Sequence, residues 1–418
     1  MELTTDQQNT IKIFNDFLLT PEEKFMIIQG HSGSGKSSLI KFLVDIAYKY
    51  IQMNNIICKT TTGNVVAPLL AATTNPATAV LNQLTGYKAE TIHSILGLTL
   101  INDYQTGKKR LILKRNAIPI YNQLIIIDEA SMINDELFRF IKQQTIDCKI
   151  LLIGDKYQLT PVNQTKTVME TLKCPTAVMT EILRNKGVIQ TVGIQYRHTV
   201  QSEIFKPIPI INDKLLSVSG IEFKKQIDKA FSFNQYTPEK TKIIAWTNHR
   251  VQEYNLYIRK LQQLPTEFSI GETVYTNKPI IRNKYYKSID QAVTITNISK
   301  EFTNKNKIVG RWIELDKICK AFQASNSGAE KNILKQYARK KDWKNYFDIK
   351  DNWLDLRLPY ACTTYKSQGS SYDTVFIDLS DIGKCDIPSD VARMLYVSIT
   401  RARHQVYLYG TLPKKYGG

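Results

Sequence analysis

The sequence predicts an α/β protein whose strands run parallel, and three observations carry that expectation. Short apolar runs alternate with amphipathic stretches through most of the 418 residues. Several runs end at polar or Gly-rich turns, where open α/β sheets place their ligands. One of them, FMIIQ, leads into the glycine-rich segment GHSGSGKS and then into the helical pattern SSLIKFLVDIAYKY.

In chain order the predicted strands are Phe25 to Gln29, Leu69 to Ala72, Leu124 to Ile127, Ile150 to Ile153, Ile243 to Trp246 and Thr374 to Leu379. Residues 271 to 350 break the pattern. GETVYTNKP, QAVTITNIS and KIVGRWIEL read as short strands of a small β-module, followed by the basic helical stretch KNILKQYARKKDWKNYFDIK. That window holds 17 Lys+Arg against 8 Asp+Glu, so its net +9 is half of the chain's formal +18. An excess so concentrated points to a polyanionic partner, usually nucleic acid.

Composition narrows the class further. A hydrophobic content of 43% suits packed domains, and the length allows two or three of them. No apolar run approaches the roughly 18 residues that a membrane span needs, so no membrane partner is expected. The polar, acidic start MELTTDQQNT does not read as a signal or transit peptide. Cys58, Cys148, Cys174, Cys319, Cys362 and Cys385 form no CxxC pair. Their spacing argues against a zinc site or a disulfide framework and suits a reducing, cytoplasmic setting.

GHSGSGKS, Gly30 to Ser37, is the phosphate-binding pattern GxxxxGK[ST] in its strand–loop–helix context. Its glycines let successive N–H groups face a β-phosphate, and the following helix adds its positive end. The nucleotide-binding set is Gly30, Gly33, Ser34, Gly35, Lys36, Ser37 and Ser38, with Lys36 on the β- and γ-phosphates and Ser37 on Mg²⁺. Farther on, LIIIDEAS ends an apolar strand in two acids. Asp128 is the expected second Mg²⁺ ligand, and Glu129 the group that orients and deprotonates water. ATP and Mg²⁺ are the expected cofactors.

Four later segments extend the pattern: GDKYQLTPV (Gly154 to Val162), MTEILRN with Arg184, TTYKSQGSSYD (Thr363 to Asp373) and MLYVSITRAR (Met394 to Arg403). In this order they resemble motifs III to VI of superfamily 1 helicases. LTTDQ, AATTNPA and TIHSIL resemble the Q, Ia and Ib motifs of the same proteins. The KSQG core is similar to the RecD-like branch, and AWTNHRVQEYN and the compact inserted module to its Dda-like group. Tyr365 stands where the branch usually has His, Ser398 where motif VI more often has Gly or Ala, and Asn75 where the Dda-like group has His.

The resemblance implies two RecA-like P-loop domains with ATP between them. They would span 1 to 185, and 186 to 265 with 352 to 418. A pin excursion at about 94 to 117 would leave the first, and a basic SH3-like and helical module at 266 to 351 would be inserted in the second. It further implies that Arg184 and Arg401 stabilise γ-phosphate charge, that Gln158 senses it, and that Gln7 reads adenine. Gln368 and Gly369 would lie at the interdomain seam. Thr74, Asn75, His93, Thr247, Asn248, Thr364 and Lys366 would grip a single strand without reading sequence. Between TIHSIL and the acid strand, LTLINDYQTGKKRLILK has apolar, β-prone arms around QTGK. RecD-like helicases carry a strand-separating pin there, and Tyr104 is the candidate for stacking on the last base pair.

The expected activity is ATP-dependent movement on single-stranded DNA, 5′ to 3′ by resemblance, with unwinding of forked duplex. Replication or single-strand-binding proteins are further candidate partners, and the motor is expected to act as a monomer. Only fifteen residues follow Arg403, so no nuclease or zinc domain is expected there. A translocase that unwinds poorly, an RNA helicase and a nucleic-acid-binding protein with an inactive ATP site are the competing readings.

Overall fold

The computed structural model describes residues 3–57, 67–161, 164, 166–183, 187–209, 214–232, 236–282 and 285–418. Close contacts divide the chain into two units. One comprises Met1–Gly97, Asn116–Tyr254 and Ala361–Gly418; the other comprises Leu98–Arg115 and Asn255–Tyr360.

The first unit contains two large, wholly parallel sheets. One has six strands in the order Thr176–Met179, Phe25–Gly30, Lys149–Gly154, Leu124–Asp128, Leu69–Ala72, Ala89–Thr91. The other has five, in the order Leu215–Val218, Ala402–Tyr409, Tyr372–Asp378, Thr241–Ala245, Ala361–Thr363. Helices cover the strands, so central strands are apolar along their length rather than alternating; Leu124–Asp128 and Thr241–Ala245 are buried throughout. Phe14, Met26, Ile28, Leu43, Ile126 and Ile153 anchor the first core. Leu215, Ile244, Val375, Ile377, Leu395 and Val406 anchor the second.

All six strands expected from the sequence are present, with ends shifted by at most two residues. Those not foreseen are mostly short or lie at sheet edges, such as Ala89–Thr91, Thr176–Met179 and Leu215–Val218. Helix Pro388–Thr400 is buried at every position from Val391 to Thr400, as a helix covered on all sides must be.

The second unit is built on antiparallel pairs. Val309–Leu315 pairs with Phe302–Thr303, Ala292–Ile298 and Cys319–Ala324, and Thr273–Thr276 joins Ala292–Ile298 to Leu356–Arg357. Helices Ser327–Arg339 and Trp343–Asn352 follow, capped at their starts by the side chains of Asn326 and Asp342. The segment expected as an excursion of the first domain packs here. It forms an antiparallel hairpin, Leu98–Asn102 against Lys109–Leu113.

The hairpin's packing has a clear physical basis. The Asp351 carboxylate accepts from Asn102 Nδ2 at 2.7 Å and from Lys109 Nζ at 2.6 Å, tying both strand ends to helix Trp343–Asn352. At the tip, the Tyr104 ring meets Phe347 edge-on at 5.4 Å. Gly107 has φ +68° and passes so close under the Trp343 ring that a Cβ there would collide with it. Asp103 Oδ1 accepts from the backbone N–H groups of Gln105 and Thr106, stiffening the turn. Among the described residues no helix is long and apolar enough to cross a membrane.

Candidate active site

The phosphate loop runs from the buried strand Phe25–Gly30 to helix Lys36–Ile57. Gly33 and Gly35 have φ of 82° and 81°, a left-handed backbone that other residues rarely adopt. Lys36 Nζ lies inside the loop, donating to Gly30 O at 2.5 Å and His31 O at 2.9 Å. A Cβ on Gly30 would come within 2.7 Å of Lys36 Cγ and Ser34 Oγ, so only glycine leaves the lysine its path. Ser37 and Ser38 are part-exposed in the first helical turn. Gln7 is buried and its amide nitrogen lies 3.0 Å from where a Gly35 Cβ would be. Its carbonyl accepts from Thr4 N at 3.0 Å in a capping box that starts helix Thr5–Leu19.

Two strands away, Asp128 ends Leu124–Asp128 and is buried. Burial pushes its pKa up and the neighbouring Glu129 carboxylate adds to the rise. Glu129 has φ +53°, strained for a residue with a side chain, and is held there by Thr73 Oγ1 donating to its carbonyl at 3.1 Å. Asp128 and Ser37 are hard oxygen donors of the kind Mg²⁺ takes alongside phosphate and water.

One helix of the second sheet's layer brings two side chains to this loop and a third to the neighbouring GDKYQ turn. Arg393, Tyr396 and Arg401 follow a spacing of three and five residues along Pro388–Thr400 and its cap. Tyr396 Oη donates to Asp155 Oδ2 at 2.6 Å and accepts from Ser32 N at 3.0 Å. Arg393 donates to Gln158 O at 2.6 Å and to Lys156 O. Arg401 Nη2 donates to Ser32 Oγ at 3.3 Å, while Nη1 holds Ser370 O at 3.0 Å. Gly369, at φ +79°, passes so near that its Cβ would stand 3.9 Å from Glu129 Oε1.

Polar atoms without a protein partner mark the same region: Ser34 Oγ, His31 Nδ1, Gln158 Oε1, both amide atoms of Gln368, and Arg197 Nη1. Buried groups left in this state suit a polar, anionic ligand. Burial lowers the His31 pKa to about 4, with the Arg197 charge reinforcing it. Sequence reasoning missed Arg393, Tyr396, Asp155, Arg197 and His31. Helical spacing in RMLYVSITRAR and the acid in GDKYQ were the signals available. Arg184 lies outside the described residues.

The candidate strand-gripping residues cluster at the carboxyl ends of parallel strands. Thr74 caps helix Asn75–Thr85 by accepting from Ala77 N, and Asn75 opens that helix. His93 is in the short helix after Ala89–Thr91, and burial lowers its pKa. Asn248 is exposed at the start of Asn248–Leu261. Thr247 Oγ1 instead donates to Asp381 at 2.9 Å and accepts from Arg250 N. Thr364 is fully buried, with its hydroxyl 3.2 Å from Ser398 Oγ, so it supports the strand end rather than facing a ligand. Lys366, two residues on, is part-exposed. Tyr104, in the hairpin of the other unit, is 58% exposed beside Phe347.

These features define a P-loop nucleoside triphosphatase in which a second parallel sheet supplies arginine to the phosphate loop. Residues 18–164 match the AAA domain family, and 358–409 match the UvrD-like helicase C-terminal domain. The chain is similar to the ATP-dependent DNA helicase dda of Enterobacteria phage T4, 26% identical across 97% of this chain and 99% of that protein. It is similar to the ATP-dependent RecD2 DNA helicase of Deinococcus radiodurans, 22% identical across 93% of this chain and 47% of that protein. Its fold resembles a Bacteroides Pif1 helicase crystallised with ADP-AlF3 and single-stranded DNA, at a TM-score of 0.52 and 15% identity. That likeness covers 99% of this chain and 94% of the other. These comparisons make the chain similar to superfamily 1 DNA helicases of the Dda and RecD-like group.

Proposed function

We propose that the protein is an ATP-dependent DNA helicase that moves 5′ to 3′ on single-stranded DNA and opens forked duplex as a monomer. The observation that carries this reading is Arg401 from the second sheet donating to Ser32 of the phosphate loop, with Glu129 beside Gly369. Hydrolysis is then coupled to the approach of the two sheets. Lys36 and the loop N–H groups bind the β- and γ-phosphates, and Glu129 orients the water and takes its proton. Arg401 meets the charge that develops on the γ-phosphate. Ser37 and Asp128 would hold Mg²⁺, which would neutralise phosphate charge there.

In this reading 1 to 185 and 186 to 265 with 352 to 418 are the two RecA-like motor domains, and 266 to 351 is the SH3-like module. Thr74, Asn75, His93, Asn248 and Lys366 hold the strand. The hairpin is the wedge, because one stripe of helix Trp343–Asn352 braces it, Asp351 at its strand ends and the Trp343 and Phe347 rings at its tip. A rigid wedge converts single-strand movement into duplex opening. The test is unwinding of forked duplexes with 5′ or 3′ tails, in DNA and in RNA, with ATP. Opening of the 5′-tailed DNA fork supports the assignment. ATP turnover with no opening favours a translocase, and preference for a 3′ tail overturns the direction.

A further inference from the structure

We propose that a cleft in the basic module is a stacking site for one nucleobase of the DNA strand, with Trp312 as its exposed aromatic face. The inference rests on the helicase reading above and adds a site to it. The cleft encloses about 390 Å³, within the size range of small-ligand sites. Its floor is Phe322 and Trp353, both buried, whose rings meet at 4.7 Å. Trp312 and Phe302 lie near-parallel at 6.0 Å, and Trp312 remains 38% exposed. An indole left open in a well-packed aromatic cluster is a surface on which a flat ring can stack.

The polar side of the cleft favours an anionic ligand over a peptide. Arg282 is fixed at the mouth by donating to Asn352 O at 2.6 Å. Lys305 and Lys307 are exposed in the turn Asn304–Lys307, which Asn304 Oδ1 closes by accepting from the N–H groups of Asn306 and Ile308. Among the lining residues the single carboxylate is Asp348, engaged by Lys305 at 3.1 Å and by Asn352 Nδ2 at 2.8 Å. Lys320 Nζ stands 6.0 Å from the Trp312 ring centre. A base on Trp312 would therefore have its phosphates beside Arg282 and the lysine turn. A proline-rich peptide with basic residues would meet net positive charge instead. Stacking uses the face every base has, so no sequence preference is expected.

The experiment walks a single abasic position along an oligo-dT strand and measures affinity for the full chain by fluorescence anisotropy without nucleotide. One position is expected to lower affinity by about tenfold, the scale of one aromatic stack. Trp312→Ala is expected to weaken the intact strand by a similar factor and to erase the dependence at that position. Trp312→Phe, which keeps an aromatic face and guards against a folding defect, is expected to retain the dependence. The cleft proposal is overturned if Trp312→Ala keeps the wild-type abasic profile. It is also overturned if a proline-rich peptide, and not the strand, perturbs the tryptophan emission that Trp312→Phe removes. DNA stimulation of ATP turnover by the unmodified protein reads the helicase assignment separately. Its absence overturns that assignment; its presence with no Trp312-dependent position overturns the cleft alone.

Discussion

Replacing Tyr396 by phenylalanine removes one oxygen at the point where the two parallel sheets share the phosphate loop. That oxygen donates to Asp155 Oδ2 at 2.6 Å and accepts from Ser32 N at 3.0 Å. Tyr396 is 1% exposed and Asp155 0%, so water does not replace either bond in this arrangement. A hydrogen bond to a charged acceptor contributes about 1.5–3 kcal/mol. If that energy holds the loop and the GDKYQ turn in register for hydrolysis, Tyr396→Phe slows turnover by roughly 10- to 150-fold. Nucleotide binding, which rests on Lys36 and the loop amides, should change much less. The assay is DNA-stimulated ATP turnover with a double-mutant cycle against Asp155→Asn, beside equilibrium binding of a fluorescent nucleotide. A coupling energy of about 1.5 kcal/mol or more between the two sites is expected. Full turnover in Tyr396→Phe, or strictly additive losses, would refute the reasoning.

Lys36→Ala is expected to abolish turnover, and Glu129→Gln to retain nucleotide binding while blocking hydrolysis; a phosphate-release assay checks both. Arg401→Ala should slow hydrolysis by about 10³-fold or more with little change in strand affinity, whereas lost affinity with normal hydrolysis would remove it from the ATP site. Asp351→Asn loosens both strand ends of the hairpin and is expected to reduce unwinding of a 5′-tailed fork while sparing DNA-stimulated turnover. Replacing Tyr104 to Lys109 by a Gly/Ser turn should abolish unwinding in the same assay. For pH, the His31 pKa is lowered to about 4 in the folded chain by burial, then by Arg197. The unfolded chain therefore takes up a proton near pH 6.5 that the folded chain resists, and stability falls as pH drops from about 6.5 towards 4. The loss between pH 7.5 and 5 is about 2 kcal/mol, measurable by chemical denaturation, and His31→Gln should lack it.

Much of the motor was legible because its chemistry is local in sequence. Gly33 and Gly35 must adopt left-handed backbone, Lys36 must follow them, and the acid pair must end a buried strand; all of that is written within eight-residue windows. The unforeseen parts depend on distant packing. Tyr396 reads as one more apolar residue of LYVSI until the helix is laid against Ser32 and Asp155, 364 and 241 positions away in sequence. Thr364 has the residue type of a phosphate grip, but its place under Ser398 removes it from any ligand.

The hairpin shows the same limit from the other side. Its turn chemistry could be read from DYQTGK, yet nothing local indicates what it leans on. The brace lies more than 240 residues later, in Asp351, and was read only as part of a charged helical stretch. One face of that helix carries Trp343, Phe347 and Asp351, spaced by four residues, and all three touch the hairpin. A repeat of four places them on one stripe, which composition alone hid among the lysines. The basic module therefore has two separable duties in this reading. Its lysines and arginines attract the strand, a property that salt screens. Its aromatic stripe fixes the wedge, a property that salt leaves largely intact. Raising ionic strength should thus weaken strand binding steeply, while each strand that remains bound is still opened at the fork.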